Sequence, residues 1–74
     1  MSTISDNYPI SVLAAALIHL RRGNPHMAEE ILTSALEESR QLNEEPHIDI
    51  SLAANYLQLG YPKQALEVIE RVLT

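Results

Sequence analysis

Apolar residues recur three and four positions apart along this chain, and no stretch alternates apolar and polar with a period of two. That spacing predicts amphipathic helices and no sheet. A first helix is expected from near Pro9, because proline suits a first turn, where its missing N–H costs nothing. Ile10, Leu13, Leu17 and Leu20 then form one stripe, with Val12, Ala15, Ala16 and His19 beside it, and Gly23 ends the helix. Asn24 is a suitable N-cap for a second helix, with Pro25 in its first turn and Glu29 and Glu30 soon after. This helix presents Ala28, Ile31, Leu32, Ala35 and Leu36 and frays around Gln41. A polar connection of ordinary length, residues 41–46, leads to a third helix opened by Pro46. The third helix carries Ile50, Leu52, Ala53, Tyr56 and Leu57 and closes at Gly60. Pro62 opens a fourth with Ala65, Leu66, Ile69, Val72 and Leu73. Tyr61 is a poor N-cap, so that start relies on its proline.

The expected organisation is all-α. Residues 9–74 form a single helical domain after a flexible segment, residues 1–8. The domain divides into helix–turn–helix halves, about 9–41 and 46–74. The halves echo one another. GNPHMAEEILTSAL, residues 23–36, and GYPKQALEVIERVL, residues 60–73, share Gly, Pro, Ala, Glu and Leu at matching places. Ile31, Leu32 and Ala35 exchange with Val68, Ile69 and Val72, aliphatic for aliphatic.

Composition narrows the function. A chain of 74 residues is one domain at most, and burying only about 60–65% of its unfolded surface makes it marginally stable. Small domains of this kind usually add a disulfide, a metal or a partner. There is no cysteine, which excludes disulfides and thiolate metal sites and fits a reducing cytoplasm. A net charge of −5, with Tyr8, Tyr56 and Tyr61 as the only aromatics, argues against nucleic acid and against an anionic membrane surface. The longest apolar run, residues 12–18, is far short of the ~20 residues that span a bilayer. MSTISDNY has no basic n-region, so no signal peptide is expected and the protein should stay in the compartment where it is made.

The period from Gly23 to Gly60 and its internal pattern resemble the tetratricopeptide repeat. The matching positions are Leu52, Ala53, Tyr56, Gly60, Ala65, Ile69 and Val72 in the second repeat. In the first they are Ala15, Ala16, His19, Gly23, Ala28, Leu32 and Ala35. Departures are Val12 and Asp49 at the usual tryptophan, Arg40 at the usual closing proline and His19 where tyrosine is common. The resemblance covers residues 9–74 and implies two tandem repeats, a short α-solenoid fragment. It further implies that the first helix of each pair lines a concave groove for a partner. The groove positions carried over are Ile10, Leu13, Leu17, Leu20 and Arg21, then His47, Ile50, Ala54, Leu57 and Gln58. Such a groove is apolar, suited to an amphipathic helix laid lengthwise; only Arg21 could grip a peptide carboxylate. The same leucines could equally form the core of a compact bundle.

Repeat arrays need a terminal helix with a polar outer face and typically three repeats. The fourth helix has no successor here, so Leu66, Val68 and Leu73 are expected to need a cover from elsewhere. Small size, an apolar groove and a missing cap resemble the tetratricopeptide co-chaperones of type III secretion. That resemblance implies a cytoplasmic protein that buries an amphipathic helix of a needle-type secretion substrate, alongside a second small helical co-chaperone. A self-associating structural protein, a homodimer covering the same faces, is the alternative.

Catalytic and cofactor chemistry is not expected. His19 and His26 straddle a turn with no carboxylate placed to complete a metal site. Glu45, His47 and Asp49 alternate, and so point apart on a helix. Glu29, Glu30, Glu37 and Glu38 read as a solvated face with no apolar pocket to shift a pKa. No phosphate loop or nucleophile motif is present. Arg21 and Arg22 suit the C-terminal end of the first helix.

Overall fold

A computed structural model of the chain describes the backbone of residues 3–74 and the side chains of residues 9–74. All regular structure among them is helix: α1 (Thr3–Arg21), α2 (Pro25–Gln41), α3 (Ile48–Gln58) and α4 (Pro62–Leu73). α1 starts at Thr3, ahead of the start expected at Pro9, and Pro9 lies inside the helix. There it removes the bond its own nitrogen would donate to the carbonyl four residues back, and its ring crowds that carbonyl. Of the segment expected to be flexible, Met1 and Ser2 lie outside the described residues.

The sequence echo is a structural one. Gly23 and Gly60 take the left-handed conformation at φ 80° and 87°. Their N–H groups donate to Leu20 and Leu57, each at 3.1 Å. The N–H groups of the next residues, Asn24 and Tyr61, reach back to His19 and Tyr56, each at 2.8 Å. Both turns are Schellman motifs, which satisfy carbonyls that a helix end otherwise leaves unpaired. Asn24 and Tyr61 even share a backbone shape, φ/ψ −116°/68° and −117°/68°, and neither caps its helix with a side chain. The expected Asn24 cap is therefore a position without the side-chain bond; Pro25 at the helix start removes one of the donors needing a partner.

The central connection holds two further differences. α2 does not fray: Asn43 adopts φ 60°, with Asn43 N–H on Arg40 and Glu44 N–H on Ser39 at 3.0 and 2.9 Å. This is the same motif with asparagine in place of glycine, the other residue that tolerates the left-handed region. α3 begins at Ile48 rather than at Pro46, because His47 is its N-cap and accepts from the Asp49 N–H through Nδ1 at 3.2 Å.

α1 pairs with α2 and α3 with α4, giving two helical hairpins; α2 packs on α3 between them. α1 also packs along α4 while barely touching α3, so the four helices close into a ring. The Cα radius of gyration is 11.5 Å, close to the ~11 Å of a compact domain of this length. Leu13, Leu32 and Ile69 are the large side chains at the fully buried centre, and Ala16, Ala28, Ala53 and Ala65 are buried completely beside them. Alanines at these places let the helix backbones approach closely enough to close the ring.

Candidate partner-binding surface

Ring closure decides where the expected groove residues go. Leu13, Ile50, Ala54 and Leu57 are in the core. Of the two readings left open for them, groove or core, these four take the core position, with α2 and α4 packed on the α3 residues. Leu17, Leu20 and Leu73 are half-buried and pack on that core. Leu66, also half-buried, faces Leu20 across a small cleft of ≈ 220 Å³ between the Gly23 turn and the start of α4. Val68 is buried. Val68 is thus covered within the bundle, while Leu66 and Leu73 are covered in part, Leu66 beside Leu20 of α1. Arg21 is exposed and paired with Glu70 at 3.0 Å. Ile10 is 53% exposed near the other end of α1, His47 is occupied as a cap, and Gln58 lies on the surface.

The apolar surface lies instead on the outside of α3. Ile48, Leu52, Asn55 and Leu59 recur at four, three and four residues, so they share one stripe that continues just past the helix end. At about 100° per residue, the stripe stands opposite Ile50, Ala53, Ala54 and Leu57, which face the core. Ile48 is 75% exposed, Leu52 40% and Leu59 61%. Beside the stripe runs a shallow cleft of ≈ 430 Å³ toward α2, floored by Leu36 and Ala54 and edged by Ser51, Asn55 and Gln58. Sequence reasoning placed Leu52 among the apolar positions of the third helix, at a repeat-matching position, and gave Ile48 and Leu59 no role. The signal was available: α3 has apolar residues on two opposite faces, and a bundle helix buries only one.

Charge is distributed unevenly around this stripe. Residues 24–60 carry Glu29, Glu30, Glu37, Glu38, Glu44, Glu45 and Asp49 against Arg40 alone, a net −6. The rest of the chain nets +1, with Arg21, Arg22, Lys63 and Arg71 against Asp6, Glu67 and Glu70. Arg40 is held by Glu37 on α2. Glu44 and Glu45, just ahead of Ile48, are exposed and make no ion pair among the described residues. The half of the molecule that shows the apolar stripe is therefore the acidic half.

The remaining polar groups stand apart. His26 Nε2 lies 3.3 Å from Glu30 on the open surface of α2, and His19 is half-buried with Nδ1 turned inward. No group of three metal-ligating side chains converges among the described residues, and none of the described helices is long and apolar enough to cross a membrane. No protein-family model, curated protein or solved structure matches this chain.

Proposed function

We propose that this chain is a non-enzymatic helical binding module, and that the outward face of α3 takes an amphipathic helix of a partner protein. One observation carries the reading: Ile48, Leu52 and Leu59 stand exposed on a helix whose opposite face already completes the core. An apolar stripe along a helix, with a shallow cleft at its side, suits helix-on-helix recognition through anchors one turn apart. Leu13, Ile50, Ala54 and Leu57 serve this function indirectly, as the core that holds α3 in place. The finer reading is a cytoplasmic co-chaperone that shields a needle-type secretion substrate, together with a second small helical protein. The twice-used turn, with proline two residues after glycine, and the uncovered stripe support it.

Calorimetric titration with a synthetic amphipathic helical peptide tests the module. Binding with a negative heat-capacity change, the marker of apolar burial, is expected. No binding, together with a homodimer by light scattering, would replace the module with a self-associating protein.

A further inference from the structure

We infer that the partner helix is basic: an amphipathic helix with lysine or arginine flanking its apolar stripe, docked along Ile48, Leu52 and Leu59 on the acidic α2–α3 side. The inference rests on the binding-module reading and adds the chemistry of the occupant. Ile48 to Leu59 spans eleven residue steps, about 16 Å at the helical rise, so a partner segment of about three turns covers the stripe.

Charge decides between occupants. A second copy meeting this face through its own α2–α3 side would bring together two segments that each net −6 over all their surfaces, with Glu44 and Glu45 next to the stripe in both, and like charges brought together oppose association. A basic helix meets the opposite condition. Its apolar residues cover the stripe while its cations face Glu44 and Glu45, which have no cation of their own among the described residues. Docking a copy's α1–α4 side here offers only a net +1, and such a head-to-tail contact leads to open chains rather than a closed dimer. Complementarity of this kind also speeds encounter and makes it sensitive to salt.

Two synthetic peptides of about four turns separate the arms. Both carry the same leucine stripe; one has lysines on its flanks and the other glutamates. Fluorescence anisotropy on the full chain should show the lysine peptide binding at least tenfold more tightly, with the preference shrinking as salt rises. Ile48→Gln with Leu52→Gln removes apolar surface without changing charge, and should weaken binding tenfold or more. Ile18→Gln, an equally neutral change at an exposed position of α1, should leave binding unaltered. Glu44→Gln with Glu45→Gln should weaken the lysine peptide alone and flatten its salt dependence. All of these positions are exposed, and circular dichroism checks that the variants stay folded.

Equal binding of both peptides, lost in the α3 variant, overturns the basic partner and leaves the binding module standing. Binding unaffected in the α3 variant overturns the location. Binding of neither peptide overturns both, and a dimer that separates on Ile48→Gln with Leu52→Gln would show a second copy on this face.

Discussion

Arg21 of α1 donates through Nη2 to Glu70 Oε2 of α4 at 3.0 Å, joining residues 49 positions apart in the chain. The pair marks the seam where the ring closes. It does not drive the closure: the side chains are 57% and 37% exposed, and exposed pairs contribute about 0.2–1 kcal/mol at most. Arg21→Ala should therefore lower stability by no more than that. Leu13→Ala, at a fully buried position on the same helix, should cost about 2–5 kcal/mol. Urea unfolding of the two variants gives the comparison, and equal losses would mean that the seam is held by charge.

Leu57 distinguishes a core from a groove. It is buried, so Leu57→Lys places an unpaired charge among apolar side chains, a change that unfolds marginal domains. Circular dichroism of the free variant should show lost helicity. Retained helicity would mean that this position is open to solvent.

Ala28 and Ala65 occupy equivalent places in the two hairpins, each with no exposed surface. Replacing either by leucine should overpack its crossing and cost about 1–3 kcal/mol. Thermal unfolding of the two variants should show matched losses; a harmless substitution at either site would mean that its helices do not meet there.

At Gly60 a Cβ would meet nothing within 4 Å, yet φ is +87°. Any penalty for a side chain is therefore conformational rather than steric. Gly60→Ala should cost about 1–2 kcal/mol and Gly60→Asn less, as Asn43 already shows by adopting φ 60° in the equivalent turn. Chemical denaturation ranks the three proteins, and alanine equal to glycine would contradict the left-handed assignment.

How much of this was legible in the sequence follows from the range of the interactions. Four helices, turns at Gly23 and Gly60 and buried Ala28 and Ala65 depend on spacing within one helix or one turn, and each was readable. The N-cap at His47 and the turn at Asn43 are equally local, but histidine and asparagine signal them less sharply than serine or glycine. The packing of α1 on α4 is different. It depends on how two distant apolar faces meet, and the spacing of Leu17, Leu20, Leu66 and Leu73 fits an open array as well as a closed ring. Once closure is known, Leu13, Ile50, Ala54 and Leu57 become core, and Ile48, Leu52 and Leu59 are left as the apolar stripe of α3.

The most direct test of the account maps binding residue by residue. Backbone amide spectra of the labelled chain, recorded during titration with the lysine–leucine peptide, report which positions sense the partner. The account predicts shifts concentrated at Ile48, Leu52, Asn55 and Leu59, with Leu36 across the cleft, and little change along α1 and α4. Shifts centred instead on Leu13, Leu17, Ile50 and Leu57 would mean that the ring opens to admit the helix, and would contradict it.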